Sequence, residues 1–167
     1  MRVFRSFLFK KALIYIMKIR KYKSSDIHEI TKLFFETVYA INKKDYSKEQ
    51  LAVWATDDID IEKWDTSLRS NQTFVAVEGD IIVGFGDIEE TGYLDRLYVH
   101  KDFQGKGIAT AICDLLEKQV NVDCIQVHAS ITAKPFFIKR GYKIIKEQEV
   151  ERQGVVLTNY LMEKCLP

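Results

Sequence analysis

The sequence contains few prolines, glycines and cysteines. Among 167 residues there are two prolines, eight glycines and three cysteines, which excludes a collagen-like or linker-rich chain. The cysteines at positions 113, 124 and 165 are odd in number and form no CxxC pair. This spacing argues against a disulfide framework or a zinc knuckle, predicts no metal site and favours a reducing compartment.

Long apolar runs are also missing. The longest uninterrupted one covers residues 12–17, whereas a membrane-spanning helix needs about 20 apolar residues. Lys10 and Lys11 split the apolar N-terminal segment, so it does not have the continuous core of a signal peptide. We therefore expect no membrane span and a cytoplasmic location.

Acidic and basic residues are nearly balanced over the whole chain but not along it. Lysine plus arginine number 25 and aspartate plus glutamate 24, giving a net charge of +1. The first 23 residues carry basic side chains and no acidic one, so the rest of the chain is acidic. An acidic body argues against a nucleic-acid-binding surface. It suits a cationic substrate, and it equally suits a charge that only maintains solubility.

The basic, apolar start is interpreted as an extension over residues 1–16, upstream of a possible start at Met17 where a strand pattern begins. An amphipathic surface helix is the alternative for this segment. The remainder, residues 17–167, is expected to form one domain.

Residue periodicity from position 17 onward predicts a single mixed α/β domain. A capping box formed by Asp26 and Glu29 predicts the start of the first helix, and Ser47 with Gln50 predicts the start of a second. The predicted helices cover 26–41, 47–54, 60–69, 107–120 and 133–140. The predicted strands cover 19–22, 74–77, 81–85, 93–99, 124–128, 142–149 and 155–162.

A glycine-containing loop at residues 104–110 joins a predicted strand to a predicted helix. Helix N-termini expose unpaired N–H groups and bind phosphates, and glycine allows a phosphate to approach the backbone closely. Lys106 adds a positive charge there. The Walker and dinucleotide-binding motifs are excluded, because His100 and Thr110 stand where those motifs require glycine.

The loop Gln104-Gly105-Lys106-Gly107-Ile108-Ala109 resembles the acetyl-CoA loop of the GCN5-related N-acetyltransferase family, Gln/Arg-x-x-Gly-x-Gly/Ala. A second block, residues 133–142, is similar to the family's later helix and the strand that follows it. The resemblance implies a mixed, mostly antiparallel central sheet that is flanked by helices and splayed at its central strands. It also implies acetyl-CoA as co-substrate.

The resemblance further implies which residues meet acetyl-CoA. The backbone of the glycine loop would bind the pyrophosphate, and the pantetheine arm would hydrogen-bond along the preceding strand. The implied set is Leu97, Tyr98, Val99, Gln104, Gly105, Lys106, Gly107, Ile108, Ala109, Thr110, Ser130, Ala133 and Phe136.

The catalytic residues are less clearly marked. The N–H of Leu97 or Tyr98 would stabilise the developing oxyanion, whereas Phe137 stands where the family often has a tyrosine acid. Candidates for a base that deprotonates the amine are Asp95, Glu89, Glu90, His128 and Tyr93. We select Asp95 and Tyr98 as the catalytic prediction. Aromatic residues of the helical part, namely Trp54, Trp64, Tyr39 and Tyr46, either line the acceptor side or serve only packing.

These features predict an N-acetyltransferase in which a neutral primary amine of a small molecule or peptide attacks acetyl-CoA directly in a ternary complex. Two alternatives stay open: a non-catalytic acyl-CoA sensor, and a peripheral interaction protein that uses the basic N-terminus. A homodimer is compatible with the sequence.

Overall fold

The computed structural model describes residues 17–167, which form a seven-stranded sheet with helices on both faces. The strands are β1 (Met17–Lys21), β2 (Gln72–Glu78), β3 (Ile81–Ile88), β4 (Tyr93–Val99), β5 (Cys124–Ser130), β6 (Lys143–Arg152) and β7 (Val155–Cys165). The helices are α1 (Ile27–Ile41), α2 (Lys48–Trp54), α3 (Ile61–Ser70), α4 (Ile108–Leu116) and α5 (Lys134–Lys139). The strand order is β1-β2-β3-β4-β5-β7-β6, and only the β4–β5 pair is parallel. The predicted fold class is confirmed.

Two apolar clusters cover the two faces of the sheet. Helices α1 to α3 pack on one face, where Ile30, Phe34 and Val38 of α1 repeat at helical spacing and are buried. Helix α4 packs on the other face through a similar apolar stripe. The central sheet is therefore shielded from water on both sides.

Helix α4 lies unusually close to β3 because β3 contains two glycines. A Cβ atom on Gly84 would stand 2.8 Å from Cγ2 of Ile108, and one on Gly86 would stand 3.0 Å from Cγ2 of Ile112. The absence of side chains at these two positions lets the helix rest on the strand backbone.

Strands β4 and β5 pair over only two residues and then separate. The paired positions are Tyr93 with Gln126 and Leu94 with Val127. Between β3 and β4, the register shifts so that Asp95 is an extra residue in β4, that is, a β-bulge. The splay and the bulge lie side by side, at the centre of the sheet.

The helix starts and ends differ in part from the predictions. The Ser47–Gln50 capping box is present, but the Asp26–Glu29 box was wrong. The Asp26 carboxylate instead binds the Arg20 guanidinium at 2.8 Å, and Glu29 accepts a hydrogen bond from the N–H of Ile82 at 2.6 Å. Helix α4 ends at Leu116 rather than at position 120, because the N–H groups of residues 118 and 119 bond three residues back and tighten the chain.

The expectation of no disulfide was wrong. Cys124 and Cys165 lie opposite each other in the antiparallel β5–β7 pair and are joined by a disulfide across a separation of 41 residues. Glu163 lies beside this pair, but the disulfide engages both sulfurs. Cys113 is buried, and burial raises the pKa of its thiol to about 12, which makes it a poor nucleophile. Cysteine usage therefore gives no support to a reducing compartment.

The predicted extension over residues 1–16 lies outside the described part of the chain. Within residues 17–167, no helix combines the length and the apolar character needed to cross a bilayer.

Candidate active site

A cavity of about 440 Å³ opens where β4 and β5 separate. Its lining includes most of the residues that the resemblance assigned to acetyl-CoA: Leu97, Tyr98, Val99, Gln104, Gly105, Gly107, Ile108, Ala109, Thr110, Ser130, Ala133 and Phe136. Lys106 does not line the cavity, and its ammonium lies over the Phe103 ring, 4.7 Å from the centroid. The splayed strands therefore bring together residues from Leu97 to Phe136 that are distant in the sequence.

The glycine loop meets this cavity at the N-terminus of α4. Gly105 and Gly107 have φ angles of 69° and 79°, in the left-handed region, and no atom lies within 4 Å of a Cβ built on either. Gly107 is the N-cap of α4, so the first N–H groups of the helix follow it without a side chain in front of them. This geometry suits a pyrophosphate group.

The Gln104 side chain anchors the loop rather than facing a ligand. Its Nε2 donates to the carbonyl of Val99 at 2.7 Å, and the Thr37 hydroxyl donates to the same oxygen at 3.1 Å. The Val99 carbonyl is thus engaged twice by the protein. Of the backbone groups predicted to bind a pantetheine arm, this one is already occupied.

The hydrogen-bonding pattern of β4 decides which N–H groups face the gap. The N–H of His100 donates to the Val83 carbonyl at 2.9 Å, and Tyr98 lies opposite Phe85 two residues earlier. Because bonded pairs alternate in an antiparallel ladder, Tyr98 bonds to β3, while Leu97 and Val99 point their N–H groups toward the splayed side. Of the two predicted oxyanion donors, only Leu97 faces the gap.

Asp95 occupies the bulge at the edge of the cavity. Its side chain is 33% exposed, and its carboxylate stands 3.1 Å from the Arg96 guanidinium. Burial raises the pKa of Asp95, and the Arg96 charge opposes that shift only in part. Asp95 therefore combines a raised proton affinity with access to solvent and ligand.

A second cavity, of about 580 Å³, lies on the helical side of β4. It is lined by Phe34, Trp54, Thr56, Asp58, Ile59, Asp60, Lys63, Trp64, Ser67, Asp95, Arg96, Tyr98 and Arg152. Trp54, Asp95 and Tyr98 line both cavities. The two cavities consequently meet at these three side chains.

Arg96 is held in the second cavity by a buried acid. The Arg96 guanidinium binds both oxygens of Asp87, at 2.9 and 2.7 Å, and Asp87 is fully buried. The Asn71 amide donates to Asp87 at 2.8 Å, and the Arg96 guanidinium donates to the Ser67 hydroxyl at 2.6 Å. The guanidinium also lies 5.0 Å from the Trp64 ring centroid, so one wall of the cavity is rigidly built.

Sequence comparison settles the family to which this fold and loop belong. The family model described as the acetyltransferase (GNAT) domain matches residues 42–164, which is most of the chain. The chain belongs to the GNAT acetyltransferases. It is accordingly an N-acetyltransferase, and acetyl-CoA is its acetyl donor.

Several GNAT relatives are similar over nearly the whole chain. The uncharacterized N-acetyltransferase YafP of Escherichia coli (strain K12) is 35% identical over 147 residues, covering 87% of this chain and 94% of YafP. A crystal structure of a GCN5-related N-acetyltransferase from Rhodopseudomonas palustris is 32% identical, with a TM-score of 0.85, and the match covers 89% and 95% of the two chains. The PaiA N-acetyltransferase from Thermoplasma acidophilum, in complex with coenzyme A, shares the fold at 17% identity, with a TM-score of 0.71 and coverage of 90% and 99%.

The position where GNAT enzymes often have a tyrosine acid carries no hydroxyl in this chain. Phe137 is 2% exposed and lines the first cavity, and its ring contacts those of Phe136 and Tyr142. Tyr142 cannot substitute for it, since its hydroxyl donates to Glu117 at 3.0 Å and the residue lies outside the lining. Tyr98, unlike Tyr142, lines the first cavity. Burial raises the pKa of its hydroxyl to about 12.

The other predicted bases lie in less suitable places. Glu89 and Glu90 line neither cavity. His128 lines the first cavity and contacts the Tyr93 ring, with centroids 5.2 Å apart. Burial raises the pKa of Tyr93 to about 12, which keeps its hydroxyl protonated near neutral pH.

The aromatic residues of the helical part divide into two groups. Trp54 and Trp64 line the second cavity, whereas Tyr46 has a structural role because its hydroxyl donates to the Thr158 carbonyl and accepts from the N–H of Ile131. The Tyr39 hydroxyl likewise donates to the backbone, at Ala55. Sequence reasoning did not find Thr37, Asn42, Lys63, Arg96 or Arg152, and no local spacing marks them.

Proposed function

We propose that the chain transfers the acetyl group of acetyl-CoA to a primary amine by direct attack within a ternary complex. The observation that carries this proposal is the meeting of the two cavities at Trp54, Asp95 and Tyr98. The first cavity has the phosphate-binding helix end, so it takes acetyl-CoA, and the second takes the acceptor. The reacting atoms then meet beside the bulge of β4.

Binding and oxyanion stabilisation follow from the backbone. The N-terminus of α4 holds the pyrophosphate, and the pantetheine arm lies in the gap beside Leu97. The N–H of Leu97 donates to the thioester oxygen as that oxygen gains negative charge, which stabilises the transition state more than the ground state.

Asp95 holds the acceptor ammonium and takes its proton. An alkyl ammonium has a pKa near 10 and a free aspartic acid one near 4, so this transfer costs about 8 kcal/mol for an unperturbed pair. Burial raises the pKa of Asp95 and so reduces that cost. The neutral amine then forms the C–N bond while the C–S bond breaks.

The departing thiolate needs little assistance. A thiol has a pKa of about 8.5 and is a competent leaving group. Tyr98 lines both cavities, and its raised pKa keeps its hydroxyl protonated. This hydroxyl gives its proton to the departing sulfur and is reprotonated by the second N–H proton that the acetylated nitrogen loses. Tyr98 thus takes the role of general acid, which Phe137 cannot fill.

Substituting aspartate for Gly107 should abolish acetyl-CoA binding. The new carboxylate would stand where phosphate oxygens lie, at the N-cap of α4. With acetyl-CoA at about 100 times Kd, the wild-type Tm should rise by about 5–10 °C, and the Tm of the variant should not change. The measurement is thermal denaturation with and without acetyl-CoA.

Gly79→Asp is the matched control for this test. Gly79 also has a left-handed φ, 61°, with no atom within 4 Å of a built Cβ, but it lies in the β2–β3 turn. It should lose similar stability and keep the full response to acetyl-CoA. If Gly107→Asp also keeps it, the loop assignment is wrong. If acetyl-CoA binds but no amine in a broad panel releases CoA, the protein is the sensor alternative.

Substituting tyrosine for Phe137 should raise kcat modestly, by about 10-fold or less. The added hydroxyl supplies a second acid near the sulfur, but the thiolate is already a good leaving group. Release of CoA at saturating acetyl-CoA measures the effect. A large loss of kcat with unchanged acetyl-CoA binding would instead mean that the ring fills a closely packed acyl wall.

A further inference from the structure

The charges around the second cavity are arranged unequally along its length. Asp95 lines both cavities and so marks the end that the second cavity shares with the first, whereas Lys63 and Arg152 line the second cavity alone. The acceptor amine must be at the Asp95 end, because the acetyl group arrives there. The two cations therefore face the part of the acceptor that does not react.

Not every charge in this cavity is available to a ligand. The Arg96 guanidinium pairs with two carboxylates, those of buried Asp87 and of Asp95, so it is not free for a negative group of the acceptor. Asp60 is the N-cap of α3 and accepts from the N–H of Lys63 at 3.0 Å, where the helix dipole compensates its charge. Asp58 lines the cavity as an exposed carboxylate, and Lys63 and Arg152 line it as exposed cations. Between residues 17 and 167, neither Lys63 nor Arg152 forms an ion pair with a carboxylate.

Arg152 reaches the cavity from a distant part of the chain. It is the last residue of β6, immediately before the turn at Gln153 and Gly154. Its positive charge acts on the hydroxyls of both Tyr93 and Tyr98, where it partly offsets the rise in pKa caused by burial. Arg152 therefore lines the second cavity together with Tyr98 of β4 and with residues of α1 to α3.

The rest of the wall is apolar and aromatic. Phe34, Trp54, Ile59 and Trp64 line it, and the Phe34 ring contacts those of Trp64 and Tyr98, with centroids 4.9 Å apart in each case. Such a wall binds an apolar group by burying it from water.

We propose that the acceptor is an amino carboxylate with an apolar side chain, whose ammonium binds Asp95 and whose carboxylate binds Arg152. This proposal rests on the transfer reaction proposed above. Arginine binds carboxylates through two parallel N–H bonds, and the apolar side chain of the acceptor packs on Trp54 and Trp64. A diamine lacks the negative group, and its second ammonium would be repelled by Arg152 and Lys63.

Matched acceptors that differ only in the carboxylate test the substrate class. Tryptophan is compared with tryptamine, leucine with 3-methylbutylamine, and lysine with 1,5-diaminopentane, by kcat/KM for CoA release. Each amino acid should exceed its decarboxylated partner by about 10- to 100-fold, the effect of a charged hydrogen-bonded pair. Faster acetylation of the decarboxylated amines or of the diamine overturns the proposal.

Variants of Arg152 test whether this residue binds the carboxylate of the acceptor. Arg152→Gln should lower kcat/KM for tryptophan by about 10- to 100-fold and change that for tryptamine much less. Arg152→Glu should favour tryptamine over tryptophan. Glu151→Gln is the matched control, since Glu151 is exposed on the same hairpin and lines neither cavity. Equal effects of Arg152→Gln on tryptophan and tryptamine overturn the role of Arg152.

A binding measurement separates failure of this proposal from failure of the reaction. In the presence of CoA, tryptophan should raise the Tm of the wild type and not that of Arg152→Gln. If no amine is acetylated but tryptophan shows this difference, the reaction proposal fails and the ligand proposal stands. If amines are acetylated and tryptophan does not raise the wild-type Tm, the ligand proposal is overturned and the reaction stands.

Discussion

Replacing Asp95 by asparagine should lower kcat/KM for every amine acceptor by about 10²- to 10⁴-fold, the usual contribution of a general base. The amide has nearly the same shape and occupies the same bulge, but it carries no charge to hold an ammonium and cannot take its proton. Acetyl-CoA binding should persist, because Asp95 lies in β4 and is not part of the loop that leads into α4. The measurements are kcat/KM and the Tm shift with acetyl-CoA.

The pH profile gives the same prediction a sharper form. Burial raises the pKa of Asp95, so kcat/KM of the wild type should fall as the pH drops through that raised value, where the carboxylate becomes protonated. Asp95→Asn should lose this acid limb and keep only the rise that follows deprotonation of the acceptor ammonium, at about pH 10. Glu89→Gln removes the charge of a nearby acid that lines neither cavity. It should keep the limb at a slightly lower pH, because Glu89 helps to raise the pKa of Asp95. A limb that persists at the wild-type pH in Asp95→Asn would assign the base elsewhere, with His128 the next candidate.

Replacing Asp87 by alanine should cost about 3–5 kcal/mol of unfolding free energy, the usual effect of removing one partner of a buried ion pair. The Arg96 side chain is only 12% exposed. It would lose the buried carboxylate that binds it through two hydrogen bonds and keep only the pair with Asp95, whose side chain is 33% exposed. The loss should be measured by urea denaturation, with the slope compared between variants.

Two further variants serve as controls for the stability loss in Asp87→Ala. Arg69→Ala breaks the ion pair with Asp65, in which the arginine is 59% exposed, and it should change stability little because water screens the pair. Replacing Asp87 and Arg96 together by apolar residues should recover much of the stability lost in Asp87→Ala. A loss in Asp87→Ala as small as that in Arg69→Ala would mean that the Asp87–Arg96 pair does not hold the wall of the second cavity.

The parts of the protein that could be predicted from sequence depend on local interactions. Glycines 105 and 107 precede an apolar stripe within a few residues, so the loop and the start of α4 were recognisable. The strands were recognisable for the same reason, since alternation is a property of neighbouring residues. The family resemblance then supplied the mostly antiparallel sheet that is splayed at its central strands.

The features that sequence reasoning missed depend on register and on long-range approach. Cys124 meets Cys165 only because β7 pairs antiparallel with β5, a register that no spacing encodes. Arg152 lines the second cavity from the β6–β7 hairpin, 57 residues after Asp95 in the sequence. This position also depends on how β7 pairs with its neighbours. Asp26 shows a third limit, because the nearby Arg20 competes for a carboxylate that would otherwise cap a helix.

The two glycines of β3, Gly84 and Gly86, affect the protein beyond the helix packing described for them. Gly84 lies against Ile108, the first residue of α4. The position of the helix end that we propose for the pyrophosphate therefore depends on a strand that lines neither cavity. A methyl group at position 84 would stand 2.8 Å from Ile108, so Gly84→Ala should displace this helix end and weaken acetyl-CoA binding. Residues that do not contact a substrate can in this way affect its binding.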